Sequence, residues 1–355
     1  MSTLRVFPSP FTLHPPPSPK RILVVGPSNV GDAVLMSPVV ARVHAAYPSA
    51  HVTLLVGERA RAVFANDPRI RQVWCMEEWS GLAGRLRLVW AVWQLRPDTL
   101  IDLRQTVLPL LWKPWRLIRA LWPLPRAVTH MRERHLWRLA RQAPRLGPAA
   151  TGINGQGVWI SSDDHASVER LLTRWGVDHA KPLVVICPGA RSHIKRWSAE
   201  GFAQVADQLI SEQQVEVVLT GEPEEIPIIQ EVLGAMQHRT HNAAGSTTLQ
   251  QLAALMQRAN LVLTNDSASL HLACAVHTPV LALFGPTDPR KYGPTGPQDR
   301  TLQRKLFCVP CERALCRFNH ECMRFLTPDE VYEAARQLLA GASASRSAAI
   351  QELHP

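Results

Sequence analysis

Short apolar runs alternate with longer stretches of helical periodicity along most of the chain. In the first half, the runs are rich in β-branched residues and too short for helices, which is typical of buried parallel strands. This half predicts a helix over Asp32–Tyr47 and strands at Arg21–Gly26, His51–Val56 and Ile70–Trp74, with a further strand ending at Leu100–Ile101.

A second series of the same kind follows the Pro- and Gly-rich stretch Pro144–Gly157. Its predicted strands are Leu183–Cys187, Val215–Thr220, Leu261–Thr264 and Pro279–Phe284. Its predicted helices are Ala199–Ser211, Ile226–Gln237, Leu249–Arg258, one that begins at Ser269 and a last one from Pro328 to about Ala340.

Strands that alternate with helices predict parallel sheets covered by helices on both faces. Two such series predict an α/β fold of two doubly wound, Rossmann-like domains, with a ligand cleft at the carboxyl ends of the strands. The predicted divisions are a disordered Pro-rich arm (1–19), an N-terminal Rossmann-like domain (20–175), a C-terminal Rossmann-like domain that includes a Cys-rich segment (176–327) and a C-terminal helix and tail (328–355).

Positive charge is concentrated in one part of the sequence. The 355 residues carry a net charge of +10, and residues 81–145 alone hold 13 Lys and Arg against 3 Asp and Glu. Eight of the 11 Trp lie between Trp74 and Trp137. An apolar fraction of 46% excludes a disordered or fibrous protein. The basic, Trp-rich block indicates a face for an anionic partner or a membrane surface.

The sequence predicts a cytoplasmic protein that does not span a membrane. Residues 1–19 contain six Pro and no apolar run, unlike a secretory signal. The longest apolar stretch, Thr106–Leu124, is interrupted by three prolines and three basic residues. Seven cysteines, several of them in apolar strand or helix contexts, suit a reducing compartment better than a disulfide framework.

The turn after the first strand carries a candidate catalytic carboxylate. It reads Gly26-Pro-Ser-Asn-Val-Gly31-Asp32. It lacks the Lys-Ser/Thr pair of a P-loop and the third glycine of the dinucleotide fingerprint, which argues against nucleotide hydrolysis and hydride transfer. Asp32 is either an N-cap residue at the start of the helix or a general base that faces a sugar hydroxyl in the cleft.

Three strand ends of the second series carry groups suited to a nucleotide diphosphate. Pro188–Trp197 brings hydroxyl and basic side chains that fit a diphosphate, and Leu219–Glu225 brings carboxylates suited to ribose hydroxyls. Leu263–His271 places small residues at a helix N-terminus, where free backbone N–H groups bind anions, although each feature alone is also typical of helix capping. The candidate donor-binding residues are Ser192, Lys195, Glu225, Asp266, Ser267, Ala268 and Ser269.

Four cysteines lie within 15 residues, at Cys308, Cys311, Cys316 and Cys322. Their spacing is compatible with a structural zinc site, although it is compressed relative to zinc ribbons. The alternative is a set of reduced thiols that order a loop by packing. No Asp-x-Asp motif indicates a catalytic metal.

The basic block contains a candidate membrane or acceptor surface. In Leu108–Trp122, apolar residues recur at helical spacing beside three basic residues, which indicates either a membrane-interface helix or a core helix with a basic flank. Downstream, His130, Arg132, Arg134 and His135 extend the positive charge, and the last three are candidates to bind carboxylates or phosphates of an acceptor.

Several of these segments together resemble glycosyltransferase family 9, the ADP-heptose:lipopolysaccharide heptosyltransferases. The segments are GPSNVGDAVLMSPVVARVHAAYP, PGARSHIKRW, TGEPEE, LTNDSASLHLACAVHTPVLALFGPTDP and CVPCERALCRFNHECM, within a match over most of residues 21–340. The resemblance implies a GT-B fold, in which two Rossmann-like domains face each other and the C-terminal domain binds the sugar nucleotide. It also implies inverting transfer of a heptose.

The resemblance also implies roles for individual residues. Asp32 corresponds to the general base, Lys195 to a diphosphate-binding lysine and Glu225 to a ribose-contacting carboxylate. Asp266 through Ser269 match the loop that holds the sugar and its phosphates. This chain departs from the family pattern in two places, because the loop reads Ser-Ala-Ser where relatives often have Thr/Ser-Gly, and because an Arg precedes Ser192.

The expected partners are ADP-heptose or a similar nucleotide sugar and an anionic glycolipid of the lipid A–Kdo type. The protein is expected to contact the cytoplasmic face of the inner membrane peripherally, to need no cofactor beyond a structural zinc, and to bind no nucleic acid. The competing hypotheses are another GT-B transferase or epimerase with a different nucleotide sugar, a nucleotide-sugar sensor without activity, and a nucleic-acid-binding protein that uses the Arg/Trp block.

Overall fold

The structure is a computed structural model that describes residues 19–109, 123–144 and 157–352, with side chains up to residue 341. The predicted Pro-rich arm lies outside these residues except for its last position, as does nearly all of the predicted membrane-interface segment Leu108–Trp122. Within the described ranges, no helix is both long and apolar enough to cross a membrane.

The first half folds around a four-stranded parallel sheet in the order β3-β2-β1-β4. Its strands are β1 (Arg21–Val25), β2 (His51–Val56), β3 (Gln72–Cys75) and β4 (Thr99–Asp102). Its helices are α1 (Val30–Ala46), α2 (Glu58–Arg61), α3 (Gly81–Leu95) and α4 (Met131–Gln142).

The second half folds around a six-stranded parallel sheet in the order β10-β9-β8-β5-β6-β7. Its strands are β5 (Leu183–Cys187), β6 (Glu216–Leu219), β7 (His241–Asn242), β8 (Leu261–Asn265), β9 (Val280–Phe284) and β10 (Arg300–Gln303). Its helices are α5 (Ser162–Trp175), α6 (Ala199–Gln213), α7 (Ile226–Ala235), α8 (Leu249–Arg258), α9 (Ala268–Ala275), α10 (Pro289–Tyr292), α11 (Glu321–Arg324) and α12 (Pro328–Glu352).

Both sheets have the doubly wound order, so each has a switch point where the chain reverses direction across the sheet. In the first sheet this point lies between β1 and β4, and in the second it lies between β5 and β8. Loops diverge at such points and leave a crevice beyond the carboxyl ends of the strands. The predicted α/β fold of two Rossmann-like domains is confirmed.

Helix α1 joins the two halves. Its buried face packs against α4 within its own half and against α9 of the other half, so one apolar cluster includes residues from both sheets. Hydrogen bonds also cross between the halves, from the Gln250 amide to the Ala62 carbonyl (2.7 Å) and from His130 Nε2 to the Gly293 carbonyl (3.0 Å).

Several elements differ from their predicted bounds. Helix α5, which the predicted division at residue 175 assigns to the first domain, packs against α8 of the second half. Helix α12 extends beyond Ala340 to Glu352. Strand β3 begins at Gln72, because the preceding residues form a turn in which the Ile70 N–H donates to the Asp67 carbonyl.

Candidate active site

The candidate site lies where the switch points of the two sheets face each other. Asp32 lies in the first turn of α1, which follows β1, and the segments after β5 and β8 carry Lys195 and Asp266. The structure brings these three residues together, because Lys195 lies close enough to both carboxylates to interact electrostatically with them. Asp32 is more than 160 residues from the other two in the sequence, and Lys195 and Asp266 are themselves 71 residues apart.

Asp32 lies in the first turn of α1 and is half-buried. Asn29 holds the N-cap position, so the N-cap interpretation of Asp32 is wrong. The Asn29 amide lies 3.5 Å from Asp32 Oδ2. Burial raises the pKa of the Asp32 carboxyl, while the Asn29 amide and the Lys195 ammonium oppose this rise. The result is a carboxylate whose proton affinity is higher than usual, as a general base requires.

Lys195 forms an ion pair with Asp266, with 2.7 Å between Nζ and Oδ2. The Asp266 side chain is buried, whereas 31% of the Lys195 side chain remains exposed. Asp266 therefore holds the ammonium group in place, close enough to Asp32 to act on its carboxyl, while part of the Lys195 side chain stays exposed. A lysine whose ammonium group is held in position by an ion pair can bind a phosphate without first losing conformational freedom.

Two contacts across the crevice hold the Asp32 turn against the second half. Arg191 Nη1 donates to Asn29 Oδ1 at 2.9 Å, so the arginine that departs from the family pattern reaches the residue beside Asp32. Gly31 packs on the buried His271 ring, where a Cβ would lie 2.9 Å from the ring carbon Cδ2. Neither contact has a local pattern in the sequence, because each joins residues of different halves of the chain.

Glu225 ends a short 3-10 turn after β6, and its carboxylate covers the backbone of Gly189. A Cβ at position 189 would lie 2.1 Å from the Glu225 carboxyl carbon, so only glycine permits this approach. Glu225 Oε2 accepts a hydrogen bond from the Glu222 N–H at 3.0 Å. Burial raises the pKa of the Glu225 carboxyl. Glu225 thus lies beside the same loop that carries Ser192 and Lys195.

Asn265 holds this loop in place, a role that the sequence did not predict. Its buried side-chain amide donates to the Pro188 carbonyl at 2.7 Å, and its Oδ1 accepts from the Trp197 N–H at 3.1 Å. One side chain at the end of β8 therefore ties both ends of the loop that follows β5. The Trp197 indole in turn donates to the Leu326 carbonyl at 3.0 Å.

Ser267, Ala268 and Ser269 form the start of α9 beside Asp266. Ser267 has extended backbone geometry and does not cap the helix with its side chain. Its hydroxyl lies 3.3 Å from the Thr264 hydroxyl. All three residues are only partly buried, so the first N–H groups of α9 border the crevice. Ser192 is the N-cap residue of the 3-10 turn His193–Lys195 in the loop after β5.

Tyr292 is a further site residue that sequence reasoning missed. It ends α10, just beyond the FGPTDP segment, and is half-buried. Burial and the nearby Asp32 carboxylate raise the pKa of its phenol. Its proximity to Asp32 places a hydrogen-bonding side chain from the second half near the candidate base.

The candidate acceptor residues are not gathered into one surface. His135 is buried, and burial together with Arg138 and Arg134 lowers the pKa of its imidazole to about 4. His130 is also buried, and burial lowers the pKa of its imidazole. The prediction that these histidines extend the positive charge is therefore wrong. Arg132 is half-buried and lines a cavity of about 40 Å³ between the two halves, together with His130 and His271.

The four cysteines of the C-terminal segment are free thiols that line one cavity of about 440 Å³. Ile194 from the β5 loop lines the same cavity, so the segment adjoins the donor side of the crevice. In the described ranges, Glu58, Cys75 and Glu78 form the only cluster of three or more possible metal ligands whose ligand atoms all lie within 4.8 Å of one another. The four sulfur atoms are therefore not gathered into a closed tetrahedral site.

The sequence matches the model of one protein family over more than half of its length. Residues 128–321 match glycosyltransferase family 9 (heptosyltransferase). Lipopolysaccharide heptosyltransferase 2 from Salmonella typhimurium is 27% identical to this chain over 90% of the chain and 98% of that relative.

Solved structures share the fold. The structure of a family 9 glycosyltransferase from Veillonella parvula matches with a TM-score of 0.78 and 24% identity, covering 91% of this chain and 98% of that one. The ADP-heptose LPS heptosyltransferase II of Escherichia coli matches with a TM-score of 0.72 and 23% identity, covering 91% of this chain and 99% of that one.

Proposed function

The chain belongs to glycosyltransferase family 9 and is a glycosyltransferase, and on this premise we propose that it transfers a heptose from ADP-heptose to the inner core of lipopolysaccharide. The observation that carries the proposal is the meeting of Asp32 with the Lys195–Asp266 ion pair across the crevice. The names of the Salmonella and E. coli relatives support heptose as the sugar and lipopolysaccharide as the acceptor.

The donor occupies the second half in this proposal. Its diphosphate lies against Lys195, Ser192 and the first N–H groups of α9, where positive charge and free donors converge. Glu225 accepts hydrogen bonds from the ribose hydroxyls, since its carboxylate lies at the next strand end. The anomeric carbon of the sugar then points into the crevice towards the first half.

Transfer proceeds by a single displacement. Asp32 accepts the proton of the acceptor hydroxyl while that oxygen attacks the anomeric carbon from the side opposite the diphosphate. The bond from the anomeric carbon to the phosphate oxygen breaks with its electron pair, so ADP departs and the configuration inverts. Lys195, Ser192 and the α9 N–H groups stabilise the negative charge that ADP gains, without a metal ion.

The acceptor occupies the first half, beside Asp32. Arg132 and Arg134 are the candidates to bind its carboxylates or phosphates, whereas the buried, neutral His135 is not retained for this role. An acceptor of the lipid A–Kdo type is held in a membrane, so we place the enzyme on the cytoplasmic face of the inner membrane. Basic residues concentrated in 81–145 suit such an anionic acceptor.

The Cys-rich segment has a structural role in this proposal. An experiment can distinguish two ways in which the four thiols could fill that role. Either the thiols move together around a zinc ion, or they stay reduced and order the segment by packing. Metal analysis of the purified protein and of a Cys308→Ser/Cys311→Ser variant separates them. Zinc in an equimolar amount that is lost in the variant supports the first form, and its absence from both supports the second.

Donor screening tests the proposed function. We expect ADP-heptose to raise the thermal unfolding midpoint more than UDP-sugars do, and to serve as donor to a defined lipid A–Kdo acceptor with inversion at the anomeric carbon. Nuclear magnetic resonance of the product reports the anomeric configuration. Transfer from a UDP-sugar but not from ADP-heptose would contradict the proposal, as would a product with retained configuration.

A further inference from the structure

Helix α3 has two apolar faces, only one of which is buried. Leu88, Val92 and Leu95 face the first sheet, where they pack with Leu23 and Leu55 in a small apolar cluster, and Gly84 on the same side packs on the Trp79 backbone. The opposite face carries four large apolar side chains: Leu82 (78% exposed), Leu86 (64%), Trp90 (61%) and Trp93 (65%). Their spacing of four, four and three residues aligns them along one side of the helix.

Basic residues flank this exposed stripe. Arg85 and Arg87 lie on either side of it and are exposed, and Arg96 follows the last turn. The helix contains no Asp or Glu. Trp and Leu on one face with Arg on both flanks is the arrangement of helices that lie in a membrane interface, where rings sit among the headgroups and guanidinium groups meet lipid phosphates.

We propose that the exposed face of α3, made of Leu82, Leu86, Trp90 and Trp93, docks the enzyme on an anionic lipid bilayer. The choice of a bilayer as partner rests on the proposed function, because a lipid-linked acceptor brings the enzyme to a membrane. Charge complementarity independently favours it, since the three flanking arginines suit anionic headgroups. Burying four exposed large apolar side chains supplies the attraction.

The position of α3 orients the crevice towards the bilayer. Helix α3 follows β3, so it begins at the carboxyl edge of the first sheet, the edge at which the Asp32 turn lies. At this edge, Arg104 Nη1 donates to the Ser28 hydroxyl at 2.6 Å and contacts Met76, which joins the Asp32 turn to the segment that leads into α3. Docking through α3 therefore holds the acceptor side of the crevice near the membrane surface.

Vesicle flotation with the full chain tests the docking surface. The probes are vesicles of phosphatidylethanolamine with and without phosphatidylglycerol. We expect Trp90→Ser/Trp93→Ser to weaken binding to the anionic vesicles by about tenfold or more. Arg85→Ala/Arg87→Ala should reduce the preference for phosphatidylglycerol and the sensitivity to salt, because two of the three flanking charges are lost.

Matched variants separate this surface from general effects. Trp159→Ser removes a partly exposed Trp from another part of the chain, and Arg174→Ala/Arg239→Ala removes two exposed charges of the second half, so both should bind vesicles like the unaltered protein. Thermal unfolding of every variant checks that the fold persists. Sedimentation checks for self-association through the same face.

The outcomes are decisive in both directions. Failure of the unaltered chain to bind anionic vesicles would overturn the inference, as would equal binding by Trp90→Ser/Trp93→Ser. A change of that variant from dimer to monomer with unchanged vesicle binding would assign the face to a second copy instead. Flotation without heptose transfer contradicts only the proposed function, whereas transfer to a delipidated acceptor without flotation contradicts only the docking surface.

Discussion

Asp32 shows how two opposing effects set the chemistry of a single residue. Burial raises the pKa of its carboxyl, and the Lys195 ammonium, itself paired with Asp266, lowers it. A base must be ionised to accept a proton, so activity is expected to fall as the pH falls through this pKa. The acid limb of kcat/KM should therefore lie above the range of an ordinary aspartate.

Removing the Lys195 charge should move this limb in a defined direction. Lys195→Met deletes the attraction that favours ionised Asp32, so the limb should shift to higher pH, and the rate at high pH should fall by about 10²-fold because ADP departs without its counter-charge. The pH profile of kcat/KM measures both effects. Lys181→Met, which removes an exposed pair with Glu216, is the matched control. An unchanged limb would show that Lys195 does not act on the base.

Gly189 is informative because its missing side chain leaves room for Glu225. In Gly189→Ala, the new methyl group would meet the Glu225 carboxylate, a flexible group that can move away. The fold should therefore persist while affinity for ADP falls about tenfold, as in Glu225→Ala. Calorimetric ADP titrations of the unaltered protein, both single variants and the double variant give a double-mutant cycle of binding free energies. Additive losses would contradict the account, since Gly189 is expected to act only through Glu225.

At the scale of elements, strands were easier to predict than helices. Buried parallel strands are continuous apolar runs, so β1, β5, β8 and β9 stand out in the sequence. Helix α3 does not, because its second apolar face obscures the helical period on which such predictions depend. The second apolar face of α3 therefore makes the helix hard to predict from the sequence, and the same face indicates its docking role.

The end of β8 is expected to control the loop after β5. Asn265→Ala removes a bond from each end of this loop and leaves the Pro188 carbonyl and the Trp197 N–H buried without their partner. The free energy of unfolding should fall by about 1–3 kcal/mol, and donor affinity should fall with it. Denaturant unfolding and ADP titration measure the two effects. Asn242→Ala serves as the control. Asn242 is exposed on the edge strand β7, and its side chain accepts one hydrogen bond, from the Ala244 N–H two residues away.

At the scale of the whole molecule, buried histidines couple the fold to pH. Burial lowers the pKa of His271, at the contact between the two halves, to about 4 from its usual 6.5. The unfolded chain then binds more protons than the folded one between these pH values, so stability should decrease as the pH falls from about 6.5 towards 4. His135 acts in the same direction.

Substitution of His271 should flatten this dependence. In His271→Gln, the loss of unfolding free energy between pH 7.5 and 5 should be smaller than in the unaltered protein, although the variant is less stable at neutral pH. Urea unfolding at both pH values gives the comparison. The exposed His238 provides a control in His238→Gln. An equal pH dependence in His271→Gln and the unaltered protein would contradict the assignment.

The local setting of each candidate site residue can be predicted from the sequence, but the contacts that bring these residues together cannot. Asp32, Lys195, Asp266 and Glu225 follow strands, and the carboxyl ends of parallel strands are where ligands bind, so their local settings were readable. Contacts that depend on how the halves meet, such as Arg191 with Asn29, have no local pattern. Burial of His135 was missed for the same reason, because its neighbours are set by tertiary packing.

Asp32 is the proposed base of this heptosyltransferase, and its replacement by Asn tests that claim. Transfer from ADP-heptose to a lipid A–Kdo acceptor is followed in the unaltered enzyme and in Asp32→Asn, with donor affinity measured in parallel. We expect kcat to fall by about 10²–10⁴-fold while the Kd for the donor stays within about twofold. Transfer by Asp32→Asn at a rate near that of the unaltered enzyme would contradict the claim.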